Sequence, residues 1–522
     1  MKKVFLFFTV AILSTACMKK DNPMELNSEL NISDIEQMVL YKMRNKDYKV
    51  SVDEATQRAM EVIDMLDENM GVKSGVSRKI ASIRAIRSNI ASVKSSDGTS
   101  VAMPDTMIYL VNFADSAGYT IISADTRISE PILAYAPTGS IGNETHNAGL
   151  SMFAYGLRQY IQNSIVEAEL KQDSLINEIV AKLFDEEGTG TKAGIGGIKN
   201  DLVSVTIKHF DNGFEIVKPG SDISYEVTTK TDPAETVGAV YPLSEVEWDQ
   251  GDPYNVNIPF DCSYGKAPVG CTNVATAIIM SYWKHPSYID GHYFDWELLN
   301  QYTGDMERNG LYKTWKRKFL LYDDSVPPQV KYQIPLLMER ISYHTKTEYG
   351  CDGSGASESD AMSFLRKFGY RGGYKQNYDY GVIVSSLSLL RPVFMSGWAK
   401  KTTERKRMWY CLWLCYGDVV SYSEGHAWVI DGFLQQKEKV TTTITKKNIF
   451  TGKILGVETR ITYNVNKYLH HNWGYNGSGN GFYLDGAFNQ DKGTDVSSGT
   501  KSVEGDSYDF KYDLKIYPYI YK

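Results

Sequence analysis

The sequence predicts an α+β protein in which a helical part is followed by a mostly antiparallel sheet, and a smaller α+β unit precedes both. In the C-terminal half, helical patterns at Gly270–Trp283 and Ser357–Phe368 come before most of the strand patterns. Strand patterns are predicted at Arg391–Trp398, Ala427–Phe433, Lys439–Thr445, Leu455–Val465, Tyr468–Trp473 and Gly481–Leu484.

The N-terminal half has its own mixed pattern. Helical spacing at Val52–Met70 and Ser151–Phe184 flanks three strand patterns, Met107–Phe113, Tyr119–Ala124 and Pro131–Ala136. A glycine-rich stretch at 188–197 then predicts an exposed linker that is open to proteolytic nicking, and short strand-like pieces follow up to residue 235. The length of 522 residues is consistent with two or three domains.

Charge excludes one class of partner. The chain carries 56 Lys and Arg against 63 Asp and Glu, for a net charge of −7, and no basic stripe stands out. Nucleic acid is therefore not an expected partner.

The N-terminus has the pattern of an export signal. Lys2 and Lys3 precede the apolar run Val4–Leu13, and small residues lead to Cys17. Residues 1–16 are therefore predicted to be a signal peptide, and Cys17 a lipidation site like that of bacterial lipoproteins. The predicted location is the bacterial cell envelope, at the outer membrane or surface, with the lipid as the only membrane anchor. Ordinary secretion, or release after processing, is the alternative.

Cys271 is the first candidate for catalysis. Five cysteines besides Cys17 leave an odd number, which indicates a free thiol in an exported protein. Cys271 follows a glycine and opens a helical pattern, where the helix dipole and unpaired N–H groups are expected to lower the thiol pKa. A buried structural cysteine is the alternative. No CxxC pair is present, so neither zinc nor another metal is predicted.

Two later segments supply candidate partners for this thiol. His426 follows Gly425 and opens an apolar strand pattern, which would hold an imidazole rigidly as a general base requires. Asn472 can accept a hydrogen bond from the second imidazole nitrogen, and Trp473 can shield that bond from water. A satisfied structural histidine and a turn-forming asparagine are the alternatives.

Gln250 is the fourth candidate and lies upstream of the cysteine. Its amide N–H can point at a developing oxyanion together with the Cys271 backbone N–H. The order Gln, Cys, His, Asn is the order used in papain-like enzymes.

These motifs resemble the streptopain family of cysteine peptidases. The resemblance rests on Gln-Gly-Asp-Pro-Tyr-Asn at 250–255, Val-Gly-Cys-Thr-Asn-Val-Ala-Thr-Ala at 269–277, Gly-His-Ala-Trp-Val-Ile-Asp-Gly at 425–432 and Asn-Trp-Gly at 472–474. The upstream segment resembles the family propeptide through Gly-Tyr-Thr-Ile-Ile-Ser-Ala-Asp at 118–125.

The resemblance implies a papain-like catalytic domain behind an inhibitory prodomain, with no cofactor. It implies Cys271 as nucleophile, His426 as base, Asn472 and Trp473 around the histidine, and Gln250 in the oxyanion hole. Ser354, Gly355, Ala356, Ser357 and Gly425 would line the substrate groove. The expected organisation is a signal peptide at 1–16, a lipid-anchored propeptide at 17–235 and the peptidase domain at 236–522. Protein or peptide substrates and the chain's own prodomain are the expected partners.

The chain also departs from the family pattern. Residues 434–467 form an additional hairpin-like insert, and Tyr475 replaces a tryptophan, which puts substrate preference in doubt. A Cys–His peptidoglycan hydrolase or acyltransferase is a second reading, and a non-enzymatic surface adhesin rich in Tyr and Trp is a third. The adhesin reading leaves the ordered Gln, Cys, His and Asn unexplained.

Overall fold

A computed structural model provides the structure of the chain. It describes residues 48–69, 78–88, 90–94, 100–136, 139–142, 147, 149–150, 153–154, 156–169, 206–210, 213–217, 221–303, 306–309, 312–315, 324–407, 416–488 and 512–522. The predicted signal peptide, Cys17 and the glycine-rich linker lie outside these residues. No helix in this part of the chain has the length and apolar character needed to cross a membrane.

The described residues form both helices and strands. The helices are α1 Val52–Asn69, α2 Cys271–Trp283, α3 Trp296–Thr303, α4 Pro328–His344, α5 Glu358–Lys367 and α6 Tyr380–Ser388, with a further helical stretch over 156–169. The strands of the N-terminal half are β1 Ile80–Arg87, β2 Ser92–Lys94, β3 Ser100–Ala102, β4 Thr106–Phe113, β5 Tyr119–Ser123, β6 Ile132–Ala136, β7 Thr206–Phe210, β8 Gly213–Val217, β9 Ile223–Thr231 and β10 Glu235–Val240. Those of the C-terminal half are β11 Asp261–Cys262, β12 Gly265–Lys266, β13 Tyr288–Ile289, β14 His292–Tyr293, β15 Met306–Asn309, β16 Tyr312–Trp315, β17 Gln376–Asn377, β18 Val393–Arg407, β19 Tyr416–Asn448, β20 Ile454–Asn472, β21 Gly481–Leu484 and β22 Tyr512–Tyr517.

One large sheet runs through both halves of the molecule. Its strand order is β1-β4-β5-β6-β21-β20-β19-β18-β22-β17, and its pairs are antiparallel. The N-terminal unit, residues 48–169, joins the C-terminal half at the β6–β21 pair, where Tyr135 lies opposite Phe482. A strand that completes another sheet supplies main-chain hydrogen bonds across the whole junction. The predicted α+β class is confirmed, and the two halves share one sheet.

Strand β19 lies between two apolar cores because its side chains alternate. Ala427 and Val429 pack into a core formed mainly by α2, α4 and α5. Trp428 and Ile430 pack into the core that the N-terminal unit shares with the sheet. The residue just before this alternation, His426, therefore lies at the seam between the helical part and the sheet.

The predicted insert at 434–467 is a long antiparallel hairpin. Two predicted strand pieces merge into the single strand β19, and two others merge into β20. The distal parts of these strands pair from Leu434 with Tyr468 to Lys447 with Ile454. We call residues 434–467 the arm. Strands β9 and β10 pair with the β19 side of the arm, so residues 223–240 are part of this sheet.

Candidate active site

Cys271 is the first residue of helix α2, as the sequence predicts. Gly270 precedes it with a φ of 94°, and a Cβ at this position would lie 2.9 Å from the Ser354 carbonyl oxygen. Both the left-handed backbone and the close approach require glycine. The glycine therefore lets the start of α2 pack against the 354–357 loop.

A buried amide fixes the first turn of α2. The Asn273 side chain is fully buried and donates to the Val269 carbonyl oxygen at 2.8 Å and to Thr347 Oγ1 at 2.7 Å. Its own oxygen accepts from Thr345 Oγ1 at 2.7 Å. A buried amide with both ends hydrogen-bonded holds its surroundings in one arrangement. The helix start, which carries Cys271, is thus tied to the end of α4.

The thiol environment differs from the sequence-based expectation. Burial raises the pKa of the Cys271 thiol above its ordinary value, although backbone N–H groups of Ala427 and Thr272 act in the lowering direction. The sequence analysis expected the helix N-terminus to lower the thiol pKa. Loss of hydration outweighs that effect here, because burial destabilises the thiolate relative to the thiol. The contact with Ala427 places the sulfur beside the residue that follows His426.

His426 lies on β19 and is buried, with 3% of its surface exposed. Its Nε2 lies 3.1 Å from the Trp473 carbonyl oxygen and donates to it in the tautomer that this contact requires. The ring stacks on Trp428 at 5.7 Å between centroids and an interplanar angle of 11°. Burial lowers the pKa of His426 to about 4, although the Trp473 carbonyl acts in the opposite direction. The imidazole is therefore neutral at pH 7 in this structure.

Asn472 was expected to accept a hydrogen bond from the second imidazole nitrogen of His426, but its side chain has other hydrogen-bond partners. Its amide donates to the Val246 carbonyl oxygen at 2.8 Å, and its side-chain oxygen is 3.4 Å from the Gly474 nitrogen. The Trp473 carbonyl occupies the position at Nε2 that the sequence analysis gave to Asn472. Asn472 instead fixes the segment that leads to Gln250.

Trp473 is completely buried beside the imidazole. Its indole N–H donates to the Gly479 carbonyl oxygen at 2.9 Å, and its ring lies 5.3 Å from that of Trp428. The aromatic rings that contact the His426 imidazole are those of Trp428 and Tyr475, whereas Trp473 contributes the backbone carbonyl that accepts a hydrogen bond from the histidine. A backbone contact of this kind leaves no signal in the sequence. The shielding role of Trp473 stays a prediction.

Gln250 reaches the site through its backbone. The Val269 N–H donates to the Gln250 carbonyl oxygen at 2.8 Å, and Val269 is two residues before Cys271. The Gln250 N–H donates to the Asp249 carboxylate at 2.5 Å. Burial raises the pKa of that carboxyl group above its ordinary value, against the effect of the two backbone N–H groups that it accepts. The structure thus brings the backbone of Gln250 near the start of α2, and the role of its side-chain amide in the oxyanion hole stays a prediction.

The predicted groove loop contacts the same helix turn. Thr272 Oγ1 donates to the Ala356 carbonyl oxygen at 3.0 Å. Ser357 caps α5 by accepting from the Asp360 N–H at 3.0 Å, and Gly355 pairs with Glu348 through two backbone hydrogen bonds. Ser354 packs against Gly270, so all four predicted loop residues lie at one end of α2. Gly425 is the fifth predicted groove residue, and a Cβ there would lie 3.0 Å from Trp398.

A disulfide that the sequence analysis did not assign lies beside this loop. Cys262 and Cys351 are joined across 89 residues of sequence, with Cα atoms 5.7 Å apart. Pairing between cysteines cannot be deduced from their number alone. Among the described residues, Cys271 is the one cysteine outside a disulfide, which agrees with the expected free thiol.

A buried hydrogen bond between a histidine and an aspartate lies behind the site and was not predicted. His470 Nδ1 is 2.6 Å from the Asp431 carboxylate, whose other oxygen accepts from the Ser244 N–H at 3.0 Å. His470 and its sequence neighbour His471 are both buried, and adjacent histidines can indicate a metal site. In the part of the chain that the structure describes, no group of three or more His, Cys, Asp or Glu side chains is arranged to hold a metal. The Asp431 carboxylate serves instead to fix the chain before Gln250.

The N-terminal unit covers this region. A Cβ on Gly149 would lie 2.0 Å from a ring carbon of Trp473, so the backbone of the unit lies directly on the indole. Asn147 donates to the Ser478 carbonyl oxygen at 2.6 Å, and the Tyr119 hydroxyl is 2.5 Å from that of Tyr483. These contacts cover Trp473, whose backbone carbonyl is the hydrogen-bond partner of His426.

Comparison with protein families gives two matches in chain order. Residues 48–161 match the model described as Spi protease inhibitor, and residues 248–483 match that of the Peptidase C10 family. No curated protein matches the chain. The first match covers the N-terminal unit, and the second spans the predicted Gln250, Cys271, His426 and Asn472.

Two solved structures from Prevotella intermedia are similar to the chain. A fragment of prointerpain A is 16% identical and aligns over 85% of this chain and 99% of its own length, with a TM-score of 0.41. The active cysteine protease interpain A is 18% identical and aligns over 54% of this chain and 94% of its own, with a TM-score of 0.30.

The expected resemblance is thereby confirmed by the two family models, which divide the chain as the sequence motifs do. The chain belongs to the Peptidase C10 (streptopain) family and is a cysteine peptidase made as a zymogen with its own inhibitor-type prodomain.

Proposed function

We propose that the chain is an endopeptidase in which Cys271 is the nucleophile and His426 the general base. The observation that carries this proposal is the contact of the Cys271 thiol with the backbone of Ala427, which follows His426 on β19. A thiol on a helix N-terminus beside an imidazole on a strand is the arrangement that nucleophilic catalysis by cysteine needs. Hydrolysis of proteins by this pair requires no metal.

In the proposed reaction, the Cys271 proton passes to His426 and the thiolate attacks the peptide carbonyl carbon. The C–N bond then breaks as the imidazolium gives its proton to the leaving amine, and a thioester remains on Cys271. Water activated by His426 attacks the thioester, releasing the acid and restoring the thiol. Gln250 and the Cys271 backbone N–H would stabilise the oxyanion, which the Val269–Gln250 contact supports.

The loop at residues 354–357 is the proposed substrate-binding segment. The Ser354–Ser357 loop lies against the start of α2, where Thr272 donates to the Ala356 carbonyl oxygen, and Gly425 directly precedes His426 on β19. Exposed backbone at such a loop can pair with an extended peptide. We propose that this loop and Gly425 bind the substrate segment that flanks the scissile bond.

The precursor is proposed to be held inactive by burial. The raised pKa of Cys271 and the lowered pKa of His426 both favour the neutral pair over the thiolate–imidazolium pair. Both shifts have desolvation as their largest cause, so removing the N-terminal unit would relax both at once. Release of the N-terminal unit would therefore restore the hydration that the charged pair needs.

The site of maturation is proposed from strand pairing. The boundary expected at 235/236 falls inside β10, which pairs with β19 from Glu235 to Val240. Strand β9 pairs with β19 over nine residues as well. A cut in the glycine-rich linker at 188–197 would leave these strands attached, and we propose it in preference to a cut at 235/236.

Export and anchoring are proposed from the sequence alone. Residues 1–16 would be removed and Cys17 acylated, which would hold the precursor on the cell envelope. Growth with a radioactive fatty acid should label the full-length protein and not the Cys17→Ala variant. Equal labelling of the two proteins would contradict the anchor.

The catalytic proposal predicts that Cys271→Ala abolishes maturation. Protein comprising residues 18–522 is incubated with reductant and casein, as wild type and as Cys271→Ala, and followed by intact mass. The wild type should lose an N-terminal fragment and cut casein, because both steps use the same thiolate. The fragment mass locates the cut. If both proteins stay intact, trypsin is added as an activator. Casein that still survives would contradict proteolysis.

The burial proposal predicts that Gly149→Val accelerates maturation. The new side chain overlaps Trp473, and overpacking of this kind costs about 1–3 kcal/mol, or roughly a 5- to 150-fold shift toward the open state. Gly456→Val is the matched control, because a Cβ there meets nothing within 4 Å. The initial processing rate is the measurement. Equal rates in the two variants would show that the contact on Trp473 does not hold the zymogen closed.

A further inference from the structure

Along the arm, one edge of strand β20 pairs with no other strand that the structure describes. Strand β20 pairs with β21 only from Tyr468 to His471. Among the described residues, the edge of β20 from 454 to 467 that faces away from β19 pairs with no strand. A long open edge is a template for pairing with another chain, and most proteins shorten it or interrupt it. This edge is neither short nor interrupted by proline.

The outward face of β20 is unusually apolar. The apolar side chains at its odd-numbered positions are between 47% and 59% exposed, and they are Leu455, Val457, Ile461, Tyr463 and Val465. The other face of the arm is buried through Val440, Thr442 and Ile444 on β19. In an antiparallel sheet with one buried face, the outward side chains are normally polar. An apolar stripe on an open edge is a feature of an interaction surface.

The sequence of this edge is complementary to itself. In an antiparallel pair centred on Thr459, Leu455 meets Tyr463, Val457 meets Ile461, and Glu458 meets Arg460. Directly opposed residues lie on one face with Cβ atoms about 4.5–5.5 Å apart, where apolar and opposite-charge pairs stabilise a sheet. Each pair occurs twice across a two-fold axis. Within one chain, Arg460 already contacts Glu458 at 2.7 Å, so both charges lie on the same side of β20.

We propose that β20 pairs with β20 of a second copy of this chain, antiparallel and centred on Thr459. The interface is isologous, as in a two-fold symmetric dimer. It joins the two arm sheets into one and brings the two apolar stripes together. The arm carries seven basic and two acidic residues, but the paired segment 455–463 holds one of each and is neutral. The lysines of the arm therefore do not oppose the contact.

The pairing leaves both active sites open. Thr459 lies opposite Thr443 on β19, which is 17 residues from His426. At about 3.3 Å per residue, the axis is roughly 55 Å along the strand from the imidazole. Self-association through the arm is therefore separable from catalysis, and its failure would leave the proposed peptidase function untouched.

Charge exchange tests the proposed register. Residues 18–522 with Cys271→Ala are examined by sedimentation velocity from about 1 to 100 μM, a range in which the dimer should form. Glu458→Arg and Arg460→Glu should each weaken the dimer at least about tenfold, because each puts like charges opposite one another twice. The double exchange Glu458→Arg/Arg460→Glu should restore it. Lys230→Glu, on β9 and away from the edge, is the control and should leave the dimer unchanged.

Each outcome of these experiments either supports the proposed dimer or overturns it. A wild-type chain that stays monomeric across this range overturns the proposal. A dimer that survives both single exchanges, or a double exchange that remains monomeric, also overturns it. Thr459→Cys gives an independent readout that does not depend on charge. Under a mild oxidant it should form a cross-linked dimer on a non-reducing gel, whereas Thr451→Cys, in the turn of the arm, should not.

Discussion

The contact between the first turn of α2 and strand β19 is the constraint on which the rest of the structure depends. Gly270 lets the helix begin against Ser354, and Asn273 fixes its first turn to the end of α4. The sulfur of Cys271 then meets the backbone of Ala427. Because β19 alternates between the helical core and the sheet core, the position of His426 at this seam follows from packing on both sides.

Hydration determines whether Cys271 and His426 are both neutral or form a thiolate–imidazolium pair. A helix N-terminus contributes a fraction of a charge, which is worth about 0.3–1 kcal/mol when exposed. Burial of a thiolate or an imidazolium costs more, and it is the largest cause of both pKa shifts. The N-terminal unit contacts the neighbouring part of the sheet through a β-strand pair at Tyr135 and a glycine lying on Trp473. Under the proposed function, removal of this unit activates the enzyme without any change in Cys271 or His426.

The sequence predicted the limits of helices and strands more accurately than the contacts between residues that are distant in the chain. Helix α2 and strand β5 are found within a residue or two of the predicted limits, because a run of apolar residues at one period is a local property. The arm was predicted as a hairpin-like insert, but strands β19 and β20 were each predicted as two pieces, since the alternation of Thr and Lys with apolar residues is weak. The hydrogen-bond partner of His426 is the backbone carbonyl of Trp473. It was not predicted because every residue has such a carbonyl, so the sequence contains no signal for it. The Cys262–Cys351 pairing depends on folding over 89 residues, which spacing does not encode.

The most direct measurement is the pH dependence of Cys271 alkylation in the precursor and in the processed enzyme, with the Cys271 peptide quantified by mass spectrometry after iodoacetamide treatment. In the precursor, a thiol with a raised pKa and a neutral His426 should react slowly through neutral pH and faster only in the alkaline range. The processed enzyme should react rapidly near pH 6, through the thiolate–imidazolium pair. Equal and rapid alkylation of both forms near pH 6 would contradict the account that burial keeps the zymogen neutral.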